Sequence, residues 1–380
     1  MRQIYLDHNA TTPVLPEVLE AMLPYYREAF GNPSSVHRYG RHTRVAVDDA
    51  RDAVAALLGA PSSSLVFCSG GTEANNTILK GVAAAYRERG RHLVTSQIEH
   101  PAVLDTCAYL AQQGYEITYV PVDAQGVVAP EAVREALTDE TILVSIMYAN
   151  NEVGTLQPVA EIARLVRERG ILMHTDAVQA FGKLPLRIED LGVDLLSFSG
   201  HKLYAPKGIG GWYARSPHVL HPLLHGGHQE RGMRSGTENV AGLVALGKAC
   251  AIAARDMTQE WERQQQLQQR LEHGVQELIP DARIQGAEVA RLPNTTNVAF
   301  AGVEGEALMM SLDLQGVAIS TGSACSSGSL EPSHVLRAMG VSDSYLYGAL
   351  RFSLGRGTTL ADIEYVLDIL PDIVKNARSL

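Results

Sequence analysis

The stretch DLLSFSGHKLYAPKGIGGWYA, residues 194–214, places two short apolar runs on either side of a polar turn that holds Lys202. Runs of this length, rich in large apolar residues and punctuated by glycine, read as β-strands. Five more come before them: SLVFCS, HLVTSQ, EITYVPV, TILVSIMYA and ILMHTDA, alternating with helical stretches from about residue 45 to about residue 250. The alternation predicts βα units wound into a mostly parallel sheet, an α/β fold. Polar residues collect just after the strands, in SGGTEANN, QIEHPAV, YANNEVG, TDAVQ and SFSGHK. Open α/β sheets bind ligands beyond the carboxyl ends of their strands, so these stretches are expected to converge on one site.

Beyond the sheet, GLVALGKACAIAARDMTQEWERQQQLQQRLEHGVQEL has a long helical pattern able to join two domains. NTTNVAFAG, GVAIST and LYGALRFSLG then read as strands, and DIEYVLDILPDIVKNA as a closing helix. The last hundred or so residues therefore suggest a smaller α/β domain.

The 380 residues, 46% hydrophobic and 19% charged, suffice for a well-buried core. A net charge of -10 argues against nucleic acid or an anionic membrane as partner, since both reward clustered Lys and Arg. No apolar run approaches the roughly 18 residues of a membrane span, and MRQIYLDHNATT lacks the apolar stretch of a signal peptide, so a cytoplasmic protein is expected. The cysteines Cys68, Cys107, Cys250 and Cys325 are widely spaced with no CxxC pair, which indicates reduced thiols. The first three follow an apolar strand or sit in alanine-rich helical stretches and read as buried small hydrophobes. Cys325 instead lies in STGSACSSGSL, a flexible composition with no core to offer. His218, His221, His225 and His228 are interrupted by prolines and Gly-Gly, and no metal site is expected of them.

Several residues have a bland and a chemical reading. Lys202 could be an exposed strand-end cation, or a lysine that forms a Schiff base with a carbonyl. Asp176 could cap a helix, or keep a pyridinium nitrogen protonated, with Gln179 donating to a ring hydroxyl. SLVFCSGGTEANNTILKGVAAAY reads as strand, glycine turn and helix with Thr72 near the helix start, a place suited to one phosphate; it is not a P-loop. His100 could be structural or could lie over a ring. Arg351, in the apolar strand ALRFSLG, must meet a carboxylate of the protein or of a substrate.

Taken in order over nearly the whole chain, YLDHNATTP, FGNPSSVHRYG, SGGTEANN, EHPAVL, NNEVGTLQP, TDAVQAFGK, SGHKLYAPKGIGG, RGMRSGTENV, STGSACSSGSLEPSHVLRAMG and LRFSLGR resemble the cysteine desulfurases, pyridoxal 5'-phosphate enzymes of fold type I. The resemblance implies a mostly parallel seven-stranded sheet flanked by helices in a cofactor-binding domain over residues 14–255. Residues 1–13 and 256–380 would form a smaller α/β domain carrying the cysteine loop. It implies that Lys202 holds pyridoxal phosphate as a Schiff base, that Asp176 meets the pyridine nitrogen and Gln179 the ring oxygen, and that His100 stacks on the ring and moves protons. Gly71, Thr72, Ser199 and His201 would bind the phosphate, joined by Thr237 from the partner of a homodimer. Asn151 and Arg351 would place L-cysteine, Arg351 on its carboxylate, and Cys325 would take the sulfur as a persulfide and carry it to an acceptor such as an iron–sulfur cluster scaffold.

The long SSGSLEPSHV after the cysteine resembles the branch that holds the nitrogenase-associated and housekeeping enzymes, and an end at PDIVKNARSL suggests the nitrogenase type. His8 departs from the more usual LDNNATT, which bears on local packing. A selenocysteine lyase or another fold-type-I enzyme would keep Lys202 and Asp176 with no need of Cys325, and a persulfide-carrying scaffold would form no alanine.

Overall fold

The computed structural model describes residues 3–216, 219–322 and 332–379. Its strands are β1 (Ile4–Tyr5), β2 (Leu65–Cys68), β3 (His92–Ser96), β4 (Glu116–Val120), β5 (Thr141–Ser145), β6 (Leu172–Asp176), β7 (Leu195–Ser199), β8 (Gly210–Ala214), β9 (Arg283–Ile284), β10 (Thr295–Ala299), β11 (Val317–Ala318) and β12 (Ala349–Ser353). The seven apolar runs expected to be strands form one seven-stranded sheet in the order β2-β8-β7-β6-β5-β3-β4. Strands β3 to β7 run parallel, while β8 is antiparallel to both β2 and β7. The reversal has a plain cause: a parallel crossover needs a dozen or more residues, and only residues 200–209 separate β7 from β8. Every residue of β2, β3, β5, β7 and β8 is buried, as helices cover both faces. Gly210 is required where β8 begins, because a Cβ there would stand 2.7 Å from the Cα of Gly70.

Two large apolar cores result. One gathers the sheet and its helices around Phe181 and Phe198, whose rings lie 4.8 Å apart, and includes Val47, Leu246 and Ala253. The other joins Leu6, Leu271, Phe300, Phe352 and Leu367 under the antiparallel sheet β12-β10-β9 and the parallel pair β1-β11. The expected strands NTTNVAFAG, GVAIST and LYGALRFSLG correspond to β10, β11 and β12, and the closing helix Leu360–Ala377 starts with a capping box of Thr359 and Asp362. The helix Val240–Leu278 runs unbroken through 39 residues and feeds the first core up to Ala253 and the second from Leu267. A third cluster, Ile98, Met147 and Val153 with Ala299, Val335 and Leu336, packs the cores together. Among the described residues no helix is long and apolar enough to cross a membrane.

The N-terminal segment after β1 runs between the cores. On one side, Ser353 O accepts from His8 N and Ser353 Oγ from Asn9 N; on the other, His201 O accepts from Thr12 N at 3.0 Å. His8 is buried here, with Nδ1 donating to Ser353 O at 3.1 Å and its ring edge-on to Tyr5. Its ring fills the space above Gly355, where a Cβ would come within 2.1 Å of His8 Cδ2.

The unusual His8 thus makes Gly355 obligatory. Gly355→Ala is expected to cost about 1–3 kcal/mol, the range of an overpacked core. The loss should be largely recovered in His8→Asn/Gly355→Ala, a coupling read from urea denaturation midpoints of the four-variant cycle.

Candidate functional site

A cavity of about 270 Å³ opens beyond the carboxyl ends of the central strands. Gly71 and Thr72 reach it after β2, His100 after β3, Asn151 after β5, Asp176 and Gln179 at and after β6, and Ser199, His201 and Lys202 at and after β7. Asn9 and Ala10 of the crossing segment, Gly322 and Arg351 complete the wall. The convergence expected of the strand-end stretches is what places these side chains together. Thr237 is exposed and outside this wall. Cys325 lies outside the described residues, as does His218.

Lys202 stands in a short 3-10 turn, Gly200–Lys202, and donates from Nζ to the carbonyl oxygens of Asn9 and, at 2.7 Å, Ala10. Asp176 is not a helix cap. Its Oδ1 accepts from Val178 N at 2.9 Å in a local turn, and its Oδ2 accepts from Asn75 Nδ2 at 2.6 Å. Asn75 Oδ1 in turn accepts from Ser197, beside the buried His174, whose pKa burial pushes down to about 3. The carboxylate therefore meets donors only.

The helix Gly71–Ala85 begins at this wall, with no side chain capping its first amides. Gly71 cannot carry a side chain: a Cβ would meet Val178 Cγ2 at 2.6 Å. Gly70 before it has φ 153°, and Ser199 Oγ, 3.6 Å from where a Gly70 Cβ would be, is buried with no partner among the described residues. Free amides at a helix start, a glycine cradle and an unsatisfied hydroxyl form an anion site. His201, its Nδ1 3.2 Å from Thr11 Oγ1, has its pKa pushed down to about 4 by burial and by Lys202, so it faces the site as a neutral ring.

His100 has a structural role and also borders the cavity. Its Nδ1 accepts from Ala102 N at 3.0 Å, capping the helix Pro101–Gln112, and its ring lines the cavity. Because Nδ1 is an acceptor, the proton of the neutral ring sits on Nε2. Burial lowers its pKa, with Asp176 opposing and Lys202 assisting. Arg351 meets a protein carboxylate: Nη2 donates to Asp7 Oδ1 at 2.7 Å and Nη1 to Asn151 O at 3.1 Å, leaving Nε buried without a partner among the described residues. Gln179 donates from Nε2 to Asn9 O at 3.0 Å.

Asp7, Asn9, Asn75, Glu99 and Lys183 were not singled out in the sequence. Asp7 and Asn9 stand in YLDHNATTP, and Lys183 lies one helical turn after Gln179, but nothing local tells that they meet the site. Cys68, Cys107 and Cys250 are buried and free, and burial raises all three thiols, the first two to about 12. They are packing residues. Gly322 borders the cavity just before the undescribed residues 323–331, and beyond them Ser333 Oγ donates to the buried Glu152.

Glu99 is fully buried: Oε1 accepts from Ser96 at 2.6 Å and Met147 N at 2.9 Å, and Oε2 has no partner among the described residues. Burial raises its pKa from 4.5 to about 8, against the pull of those two donors. Since the folded value lies above the unfolded one, its contribution to stability is complete below about 4.5 and is lost as pH rises to about 8. Glu99→Gln cannot ionise, so its Tm advantage over the unsubstituted protein should grow across that interval in thermal melts. A gap independent of pH would contradict the assignment.

The family model described as aminotransferase class-V matches residues 4–366. The chain is 50% identical to the cysteine desulfurase IscS of Dictyoglomus turgidum over 379 residues, covering all of this chain and 96% of that one. It is 49% identical to the cysteine desulfurase IscS of Methanosarcina thermophila, covering 100% and 94%. Among solved structures, a NifS-like protein superposes with a TM-score of 0.93 at 41% identity, covering 99% of this chain and 100% of that one. SspA, solved in complex with cysteine, superposes with a TM-score of 0.84 at 38% identity, covering 93% and 99%. Names of both the IscS and NifS types thus occur among the relatives.

Proposed function

The chain belongs to the aminotransferase class-V family and is a cysteine desulfurase, and from that premise we propose how its residues divide the work. The observation that carries the proposal is the meeting, in one cavity, of Lys202, the donor-held carboxylate of Asp176 and the partnerless Ser199 Oγ. Those groups fit pyridoxal 5'-phosphate. The amides of Gly71 and Thr72, Ser199 Oγ and His201 would hold its phosphate, and His100 would cover its ring. When bound, the cofactor supplies an aldehyde for the Lys202 amine and a ring able to withdraw electrons from the carbon beside a substrate nitrogen.

Asp176, whose oxygens are oriented by donors from Asn75 and Val178, would meet the ring nitrogen and hold a proton there. Gln179 donates to the ring oxygen. The Lys202 amine, held by the Asn9 and Ala10 carbonyls, would be placed to bind the cofactor aldehyde and to take or return a proton. His100 presents Nε2–H to the cavity for the same work. Arg351 pairs with the carboxylate of L-cysteine beside Asn151, and Asp7 keeps the guanidinium in place. Cys325 follows Gly322 by three residues, and three peptide units reach at most roughly 11 Å from the cavity wall. Its thiolate attacks the substrate sulfur: the C–S bond breaks, an S–S bond forms, the carbon gains a proton, and alanine and an enzyme persulfide result. The persulfide sulfur then passes to an acceptor protein, such as an iron–sulfur cluster scaffold.

We infer that the two cores mark two domains, residues 14–255 and residues 1–13 with 256–380, meeting at this cavity. We also infer a homodimer. Tyr26, Phe30, Val36, Tyr39 and Val45 expose large apolar side chains, and Arg44, among them, donates to Glu238 at 2.6 Å, which brings the Thr237 segment to that same surface. A second copy covering this surface would receive Thr237 at its phosphate site. Buried free thiols and a cysteine nucleophile suit a reducing, cytoplasmic setting.

Lys202→Ala should abolish the visible absorbance of the cofactor-loaded protein; a persisting band would refute the lysine assignment. Cys325→Ala should keep that band but release no sulfide from L-cysteine with a thiol reductant, whereas a selenocysteine lyase would be unaffected. Arg351→Lys, losing the planar fork, should raise KM for L-cysteine about 10-fold or more with a smaller change in kcat.

A further inference from the structure

Lys183 is a half-buried lysine to which the reaction assigns no task. Its Nζ donates to Gln179 Oε1 at 2.9 Å and to Asn9 Oδ1 at 3.2 Å, and it forms no ion pair with a carboxylate among the described residues. Placing an amine where only amide oxygens receive it is costly: burial, with Lys202 and Arg351 adding to it, brings its pKa down to about 7. The contacts around it are directional. Asn9 Oδ1 also accepts from Asn294 Nδ2 at 2.9 Å, Asn9 Nδ2 donates to Thr295 Oγ1 at 2.8 Å, and Asn9 O accepts from Gln179 Nε2.

An ammonium group donates and never accepts, so an amide beside it must turn its oxygen toward it and its NH2 away. For Gln179 this leaves one orientation, with Oε1 on Lys183 and Nε2 toward Asn9 O and the cavity that Gln179 lines. We propose that Lys183 is a positioning residue for the cofactor's ring oxygen: it locks the Gln179 amide so that the NH2 group, and not the oxygen, faces that atom. The inference rests on the reading of Gln179 as the ring-oxygen donor. Without Lys183 the amide keeps only the Asn9 carbonyl to hold it, and a flipped amide would set a lone pair against an oxygen that carries negative charge. Lys183 lines a separate small cavity, with His8 and Tyr204, and acts through Gln179 without touching the substrate.

The test is a cycle on the cofactor-loaded protein: Gln179→Ala, Lys183→Met and the double variant, each followed by the pH midpoint of the visible band, with thermal melts reporting the fold. Lys183→Gln replaces Lys183→Met if the latter does not fold. Gln179→Ala should move the midpoint upward by about one pH unit, the scale of one lost hydrogen bond to a charged atom. Lys183→Met should move it in the same direction, and the double variant should move it little beyond the larger single shift. A full additive shift in the double variant, or no shift for Lys183→Met beside a clear one for Gln179→Ala, overturns the role of Lys183 and leaves the reading of Gln179 standing. A silent Gln179→Ala overturns that reading, and this inference with it.

Discussion

The site depends on where one backbone segment is held. Asp7 to Thr12 runs between the two cores, anchored by Ser353, Asn294 and Thr295 on one side and by His201 on the other, and the carbonyl oxygens of Asn9 and Ala10 receive the Lys202 amine. A lysine side chain has four rotatable carbons and would otherwise sweep a wide arc. Two carbonyls, fixed by a segment that itself cannot move without disturbing both cores, confine it to the mouth of the sheet. The same Asn9 carbonyl takes the Gln179 amide and the Asn9 side chain takes Lys183, so a single residue sets three of the polar groups around the cavity.

The electrostatics of the wall follow from that confinement. Lys202, Lys183 and Arg351 bring positive charge close together, and their mutual repulsion is visible in the depressed pKa values of Lys183 and His201. Asp7 offsets Arg351, while Asp176 stands apart on the Asn75 side with donors of its own. The histidines stay neutral because burial forbids them further charge. A wall that is positive on one side, anionic at one point and fitted with free helix amides suits a ligand with a phosphate, a carboxylate and one basic ring nitrogen. That is the pattern a pyridoxal phosphate and amino acid pair presents.

Much of this was readable along the chain. Most of the seven runs form strands because they are short and apolar nearly throughout, the pattern of a sheet covered on both faces, while β4 at the sheet's edge is only partly buried. Strand ends in such a sheet carry its binding residues by geometry, which is why Thr72, His100, Asp176 and Lys202 could be picked out before any contact was known, while Gly71 and Ser199 came from the family resemblance. The structure corrected the local reasons for some of them. Asp176 caps no helix but closes a turn, and of the two carboxylates open to Arg351 in the sequence the structure supplies the protein's own Asp7.

The sequence by itself determined the order and type of the elements, and which end of the sheet bears the chemistry, because periodicity and turn residues act over a few positions at a time. Tertiary structure alone decided which residues hold those groups in place. Asn9 lies far along the chain from Gln179, Lys202 and Asn294, and no local pattern encodes a contact made only when two cores close on one segment. For the same reason Lys183 and Glu99, one placed against amides and the other sealed from water, show their character only by burial, which is a property of the folded chain and of no short stretch within it.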